Sequence, residues 1–258
     1  MPSDPLPSDS LPVNPGAEDR SILGRAAPAP DQGWSYGSAA DQVADVYLPL
    51  PGRSPRRTVA LVHGGFWRPA YDRTHLRPLA AALAARGHRV LSLEYRRVPG
   101  QPDLATGDVR QAVAAIQADP GSPGRPCVIG HSAGGHLALW LAAQPGTAID
   151  VIALAPVADL AAADRLGLDG DAVRAFLGAE PHTRPDLDPV HLAPAGPGVA
   201  LLHGGSDSLV PLSQSRAYVE AHRGTRLTEL PGVGHFELID PAAQPWPTLL
   251  KLLDGGIE

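Results

Sequence analysis

Apolar positions along this chain form short, dense runs separated by longer amphipathic stretches, and that alternation predicts an α/β fold with a mostly parallel sheet. Runs rich in Val, Leu and Ile predict strands at 57–62, 89–95, 126–129, 150–155 and 198–202. Weaker alternation predicts an edge strand at 41–49 and a last strand at 225–230. Helical periodicity predicts helices at 75–86, 106–118, 136–141 and 213–221. In such a fold the helices cover both faces of the sheet, and functional loops follow the carboxyl ends of the strands.

Ser132 lies between one of these strands and the helix that follows it. Gly130 and Gly134 stand two residues to either side, and glycine lets the two backbones pass close together in a strained turn. This G-x-S-x-G spacing is typical of a nucleophile elbow, where the helix N-terminus and the N–H of Ala133 face the group under attack. The same five residues also fit an ordinary Gly-rich turn. The rest of the chain must therefore supply the partners of the serine.

An acid and a base for this serine follow two later strands. Asp207 comes after the strand at 198–202, and His235 lies in the Gly-rich loop after the strand at 225–230. The chain order Ser132, Asp207, His235 is the order found in α/β-hydrolases. The sequence therefore predicts a Ser-His-Asp catalytic triad.

Other residues compete for places in the site. Asp159 follows the strand at 150–155 and is an alternative acid. His222 ends a predicted helix, where a histidine favourably meets the negative end of the dipole, so we assign it to capping. Trp67 and Phe236 flank the site, and each is a candidate for substrate binding or for the core.

A Gly-rich loop after the first parallel strand supplies the second half of an oxyanion hole. Its sequence is His63-Gly64-Gly65-Phe66-Trp67, and the glycines allow the backbone to approach a substrate carbonyl. The N–H of Gly65 or of Phe66 would act together with the N–H of Ala133, and the sequence does not decide between the two. His63 is expected to hydrogen-bond the loop into shape rather than to take part in chemistry.

Together these motifs resemble the α/β-hydrolase superfamily and, within it, the arylformamidase (kynurenine formamidase) and small carboxylesterase group. The resemblance runs from about Tyr36 to the end of the chain. It rests on the HGGFW loop, Glu94-Tyr95-Arg96, the elbow through His136, Asp207 with Val210-Pro211, and Gly234-His235-Phe236. It implies the α/β-hydrolase fold and hydrolysis of N-formylkynurenine or a related aryl formamide. Phe66 stands where hormone-sensitive-lipase-type esterases usually have a third glycine, which disfavours that branch.

The chain is expected to form one domain behind a tail. Residues 1–35 are rich in Pro and Ser and lack periodicity, so they predict a tail that is disordered or laid over the surface, with structure beginning near Tyr36. Such a tail would be dispensable for chemistry up to Pro30. The hydrolase domain would span 36–258. Within it, residues 157–196 contain a helical stretch at 169–177 but no convincing strand, which predicts a small helical cap or an ordinary crossover helix.

Composition limits the classes of partner. The 258 residues are 43% hydrophobic, enough for one sizeable core. A net charge of −6 and scattered arginines make nucleic acid and membranes poor partners, which leaves a small-molecule ester or amide substrate and an unknown oligomeric state. No metal-ligand, phosphate-loop or dinucleotide motif is present, so no cofactor is expected. The single cysteine, Cys127, and an opening without the features of a secretory signal predict a cytoplasmic location.

The reaction predicted from these residues is two-step acyl transfer through an acyl-enzyme on Ser132. An arylformamidase-like activity is the main hypothesis, because the resemblance implies it. A carboxylesterase acting on short-chain esters is the alternative. A non-catalytic binding protein on the same fold is a remote alternative, since it would normally have lost a member of the triad.

Overall fold

A single eight-stranded sheet runs through the computed structural model, which describes residues 18–52, 54–194 and 198–255. The strands are β1 Gln32–Ser35, β2 Val43–Tyr47, β3 Thr58–Val62, β4 Arg89–Leu93, β5 Cys127–His131, β6 Asp150–Leu154, β7 Val199–Gly204 and β8 Arg226–Leu230. Their order across the sheet is β1-β2-β4-β3-β5-β6-β7-β8. Only β1 and β2 pair antiparallel, with each other and with β4; the remaining pairs are parallel. This confirms the predicted mostly parallel α/β sheet, although β2 is an interior strand and not the expected edge.

Helices cover both faces of the sheet. They are α1 Arg77–Ala85, α2 Pro102–Ala118, α3 Ala133–Ala142, α4 Leu160–Arg165, α5 Ala172–Leu177, α6 Ser213–Ala221 and α7 Trp246–Gly255. Helices α1 and α7 pack on one face, and α2, α3 and α6 pack on the other. Side chains of β3 alternate between the two cores, with Val59 and Leu61 in one and Ala60 and Val62 in the other. None of the helices in the described part of the chain has the length and apolar character needed to cross a bilayer.

The segment predicted as a cap contains short helical elements. Helices α4 and α5 are followed by three 3-10 helices at Pro181–Thr183, Pro185–Leu187 and Pro189–His191. No strand occurs in its described part, 157–194, and residues 195 and 196 lie outside the description. Asp169, predicted as helical, instead lies before α5 with a positive φ of 48°.

The amino-terminal segment differs from the tail that its composition predicted. Residues 1–17 lie outside the description, but Ser21–Gly24 form a 3-10 helix and Gln32–Ser35 form β1. Ile22 is 2% exposed and belongs to the core beside α1 and α7. Elements therefore begin before Tyr36, because tertiary contacts fix residues that show no periodicity of their own.

Close backbone packing defines the turn between β5 and α3. A Cβ atom on Gly130 would lie 2.2 Å from the carbonyl oxygen of Gly134, and one on Gly134 would lie 2.1 Å from that of Val62. A Cβ on Gly135 would lie 2.9 Å from Pro156. The start of α3 thus packs directly against β3 and the end of β6, where no side chain fits.

We predict opposite effects for two Gly→Ala substitutions in helices. Gly134→Ala should lower the free energy of unfolding by more than about 2 kcal/mol, because its Cβ would meet backbone that cannot move freely. Gly107→Ala, within α2, meets nothing within 4 Å and should stabilise by about 0.5–1 kcal/mol. Urea unfolding of both variants tests this. Equal effects would show that the crowding at the elbow is not a constraint.

Candidate active site

Ser132 is held in a strained conformation at the carboxyl edge of the sheet. Its φ of 58° and ψ of −120° are unusual for a residue with a side chain. Its N–H donates to the carbonyl oxygen of Leu154 at 2.8 Å, and its own carbonyl accepts from the N–H of His136 at 3.1 Å. These bonds fix the serine between β5, the end of β6 and the first turn of α3, as the elbow pattern predicts.

Asp207 and His235 come together from the loops after β7 and β8. Oδ2 of Asp207 lies 2.6 Å from Nδ1 of His235, and both side chains are almost fully buried. With Nδ1 donating to the carboxylate, Nε2 is the ring nitrogen left to accept a proton. His235 and Ser132 line the same pocket.

The Asp207 carboxylate is held from several sides. Its Oδ1 accepts from the N–H groups of Leu209 and Val210 at 2.9 and 2.8 Å, and Nε2 of His203 lies 3.5 Å from Oδ2. Burial alone would raise the pKa of Asp207, but the hydrogen bonds from His203 and His235 outweigh it and lower the pKa below its usual value. The group is therefore an anion suited to orienting an imidazole.

The two competing residues lie elsewhere. Asp159 is the N-cap of α4 and accepts from the N–H of Ala162 at 2.7 Å. His222 is the C-cap of α6, as expected, and its Nε2 donates to the carbonyl oxygen of Pro189 at 3.0 Å. Neither lines the pocket that contains Ser132.

The loop after β3 lies directly over the serine. A Cβ on Gly64 would come within 2.9 Å of Cβ of Ser132, so only glycine permits this approach. Gly65 has a φ of 103°, and Phe66 and Trp67 follow with φ of 49° and 55°. Three consecutive left-handed residues turn the loop back over the start of α3, where the N–H of Ala133 lacks an intrahelical partner.

An open pocket of about 520 Å³ surrounds these groups. It is lined by Arg20, Leu23, Gly65, Phe66, Tyr71, His75, His131, Ser132, Asp169, Leu209, His235 and Phe236. Of these, the sequence singled out Gly65, Phe66, Ser132, His235 and Phe236 as site residues. Five others that it did not single out are Arg20, Leu23, Tyr71, His75 and Asp169. Those five lie in loops or short 3-10 helices, where hydrophobic periodicity offers no signal.

Of the two places expected for Trp67, substrate binding or the core, the structure puts it in the core. It is 4% exposed, stacks on Phe176 at 4.5 Å and meets the ring of His136 edge-on at 5.1 Å. It lines a smaller hollow beside Phe66 and not the pocket of the serine. Its indole is therefore packed in the core and supports the loop after β3.

A buried polar network also contacts the loop after β3. Nδ1 of His63 donates to the carbonyl oxygen of Gly64 at 2.8 Å, so its Nε2 is free to accept from Arg97. Glu94 pairs with Arg97 and also accepts from the N–H of Arg73. The hydroxyl of Tyr95 donates to the carbonyl oxygen of His63 at 2.9 Å. These contacts give His63 the structural role that the sequence predicted and account for Glu94 and Tyr95 of the motif, whereas Arg96 pairs with Asp108.

Several histidines around the serine are kept neutral. Burial lowers the pKa of His63 and of His75 to about 3 and that of His136 to about 4. Burial and the charge of His235 lower the pKa of His131 well below its usual value. Since the carbonyl of His235 can only accept, Nε2 of His131 donates to it, at 3.1 Å. Within the described residues, no group of three or more His, Cys, Asp or Glu side chains is arranged to hold a metal ion.

Comparisons with known proteins match this chain to one family and to relatives named as hydrolases or formamidases. The BD-FAE family matches residues 44–221 of the chain. Kynurenine formamidase of Danio rerio is 32% identical over 117 residues, 45% of this chain and 40% of that protein. A Mycobacterium tuberculosis protein named "Probable carboxylic ester hydrolase LipM" is 30% identical over 228 residues, 76% of this chain and 52% of that protein. The chain therefore spans about half or less of the length of these relatives.

A solved structure supports the fold independently. Esterase B of Lactobacillus rhamnosis has a TM-score of 0.73 to this chain at 21% identity, covering 89% of this chain and 87% of that chain. At such identity the likeness concerns the fold alone. It agrees with the eight-stranded, mostly parallel sheet and establishes the α/β-hydrolase fold.

We predict that the buried histidines make the fold sensitive to acid. An unfolded histidine binds a proton below about pH 6.5, whereas His63, His75 and His136 stay neutral in the fold down to about pH 3 to 4. The unfolded state then binds more protons, so stability falls as the pH falls from about 6.5, by up to about 1.4 kcal/mol per pH unit for each histidine.

Urea unfolding at pH 7.5, 6.5 and 5.5 measures this slope. His136→Gln should make it shallower by up to about 1.4 kcal/mol per pH unit. His182→Gln, at an exposed histidine, is the control and should keep the wild-type slope. Identical slopes for all three proteins would contradict the assignment.

Proposed function

The chain belongs to the BD-FAE family, and on that premise we propose that it is a serine hydrolase that cleaves a small amide or ester through an acyl-enzyme. One observation supports this most strongly: the hydrogen-bonded pair of Asp207 and His235 opens onto the same pocket as the strained Ser132. A base, its orienting anion and a serine that lines the pocket are the parts that acyl transfer requires. Ester-hydrolase and formamidase relatives agree with this class of reaction.

In the first half of the proposed reaction, Oγ of Ser132 bonds to the substrate carbonyl carbon while Nε2 of His235 takes the hydroxyl proton. Asp207 stabilises the imidazolium through Nδ1. The carbonyl oxygen becomes an oxyanion that accepts from the N–H of Ala133 and from that of Gly65 or Phe66. His235 then protonates the leaving nitrogen or oxygen as its bond to carbon breaks.

In the second half, water replaces the leaving group. His235 accepts a proton from the water as its oxygen bonds to the acyl carbon, and it returns that proton to Oγ of Ser132 as the ester breaks. The products are a carboxylic acid and the amine or alcohol, and the enzyme is regenerated. His131 stays neutral through the cycle, because burial and the adjacent imidazolium both disfavour its charged form.

We further propose an arylformamidase-like specificity, for N-formylkynurenine or related aryl formamides. Tyr71 packs against the oxyanion loop so closely that a Cβ on Gly65 would lie 2.5 Å from its Cβ. Tyr71 also lines the pocket of Ser132, so in this proposal its side chain restricts the acyl group to one as small as formyl. Phe66 and Phe236 supply aromatic walls for an aryl leaving group. The kynurenine formamidase relative supports this choice.

A carboxylesterase acting on short-chain esters is the second candidate. The carboxylic ester hydrolase relative aligns with 76% of this chain, against 45% for the formamidase. The same triad would serve, with an alcohol as leaving group. A non-catalytic binding protein stays a remote alternative, since Ser132, Asp207 and His235 all remain in place.

We also propose a cytoplasmic location. Cys127 is buried on β5, and burial raises the pKa of its thiol to about 12. A thiol in that environment stays protonated and unreactive, which suits a reducing compartment.

We predict that the triad acts as a unit. Ser132→Ala or His235→Ala should lower kcat on p-nitrophenyl acetate by about 10⁴-fold with the fold intact, and Asp207→Asn should be similarly harmful. Asp159→Asn is the matched control, because asparagine also caps a helix, and it should retain wild-type turnover. Near-normal turnover by folded Ser132→Ala would refute the mechanism. Loss of activity in Asp159→Asn alone would identify a different acid.

We predict that Tyr71 restricts the acyl group. Wild-type enzyme should prefer N-formylkynurenine to N-acetylkynurenine by at least about tenfold in kcat/KM, since a single methyl group must be excluded. Tyr71→Ala should reduce that preference, and comparing the two enzymes cancels the intrinsic reactivity of the substrates.

Short p-nitrophenyl esters decide between the two candidate activities. Negligible hydrolysis of N-formylkynurenine beside rapid cleavage of butyryl or hexanoyl esters would identify a carboxylesterase. A steady fall in kcat/KM with acyl length would support the formamidase assignment.

A further inference from the structure

The carboxylate of Glu18 bridges the two loops that bear Asp207 and His235. Its Oε1 accepts from the backbone N–H of Ser208 at 2.8 Å and from the hydroxyl of Ser208 at 3.1 Å. Its Oε2 accepts from the backbone N–H of His235 at 2.7 Å. A single side chain, distant in sequence, thus contacts both Ser208, which follows the proposed acid, and His235, the proposed base.

The base loop is shaped to receive this carboxylate. A Cβ on Gly234 would lie 2.4 Å from Oε2 of Glu18, so a side chain there would displace the carboxylate. The N–H of Gly234 is bonded to Glu237, at 2.5 Å, and leaves the next N–H for Glu18. Two consecutive amides of the loop therefore each meet a carboxylate.

The backbone of His235 is consequently held at both of its polar groups. Glu18 accepts from its N–H, and His131, the neighbour of Ser132, donates to its carbonyl at 3.1 Å. The first contact ties the base to the loop of Asp207, and the second ties it to the elbow. Together they set where the imidazole stands between its acid and its nucleophile.

The residues that follow Glu18 continue along the pocket. Arg20 and Leu23 line it, and the guanidinium of Arg20 lies 5.6 Å from the ring centroid of Phe236. Ile22 is buried in the core, and Arg25 pairs with Asp240 at 2.5 Å. The segment is thus anchored on both sides of its pocket-facing residues.

We propose that Glu18 is a positioning residue that fixes the loop of His235 against the loop of Asp207, and that Arg20 and Leu23 of the same amino-terminal segment form part of the pocket wall. This inference rests on the proposed serine-hydrolase function. It corrects the expectation that residues up to Pro30 are dispensable for chemistry, since the described part of that stretch contacts the catalytic loops.

The chemistry of the contact predicts a graded series of variants. A carboxylate can accept on both oxygens, whereas the amide of glutamine has one acceptor and would place an NH₂ group against an N–H. Glu18→Ala removes both contacts. Turnover should therefore decrease from wild type to Glu18→Gln to Glu18→Ala, with a loss of about tenfold in kcat for the alanine variant.

Asp19→Asn is the matched control. It removes one negative charge from the adjacent position, where the carboxylate accepts from the N–H of Ser21 at 2.8 Å and does not contact the catalytic loops. It should keep the wild-type kcat. A loss in Asp19→Asn equal to that in Glu18→Gln would mean that charge, and not position, is responsible, and would overturn the proposal.

Two measurements distinguish positioning from a general structural role. The first is the division between kcat and KM on p-nitrophenyl acetate, where misplacement of the base lowers kcat and leaves KM nearly unchanged. The second is the rate at which a fluorophosphonate modifies Ser132, which reports activation of the hydroxyl without a bound substrate. Both should follow the graded series in proteins that unfold at the wild-type temperature.

A Glu18→Ala protein with wild-type kcat and wild-type phosphonylation rate would overturn the inference. So would a loss confined to KM. Ser132→Ala distinguishes failure of this inference from failure of the proposed function. If Ser132→Ala is inactive while the Glu18 variants are fully active, only the role of Glu18 is refuted. Turnover that persists in Ser132→Ala refutes the hydrolase mechanism itself.

Discussion

The close approach of three backbones at Ser132 is the constraint on which the rest of the structure depends. The end of β5, the start of α3 and the loop after β3 meet where a Cβ on Gly130, Gly134 or Gly64 would collide with main-chain atoms. That packing forces the serine into its positive-φ conformation. It also brings the unpaired N–H groups of a helix N-terminus beside the hydroxyl. The proposed nucleophile and the proposed oxyanion hole therefore both result from this close packing.

Most of the buried histidines near Ser132 are neutral, whereas the buried carboxylate of Asp207 is charged. His63, His75 and His131 surround the serine, and burial holds the pKa of each well below its usual value. They serve as fixed hydrogen-bonding groups, as the contact from His131 to the carbonyl of His235 illustrates. Asp207, in contrast, is kept ionised by its donors although it is buried. His203 and His235 both contact that anion, but only His235 also lines the pocket of Ser132, which makes it the acceptor in the proposed proton transfer.

The juxtaposition of Asp207 and His235 beside the pocket of Ser132 could be predicted from the sequence, whereas the walls of that pocket could not. The elbow and the loops of Asp207 and His235 are local features, each set by a strand, glycines and a short spacing, so a single sequence reveals them. The sequence left Trp67 as a candidate for the pocket or for the core, and stacking on Phe176 takes it into the core. That contact joins segments more than one hundred residues apart, and no local pattern encodes it.

Glu18 shows why amino-acid composition alone gave a wrong prediction of where ordered structure begins. A stretch rich in Pro and Ser cannot form a core by itself, and the prediction of a tail followed from that. The stretch becomes structured because the rest of the domain offers it partners: unpaired amides at Ser208 and His235, and an apolar site for Ile22. The loops after the strands supply the proposed reacting groups, and segments without periodicity supply much of the surface around them. Substrate choice on this fold can therefore change through those segments while the triad stays constant.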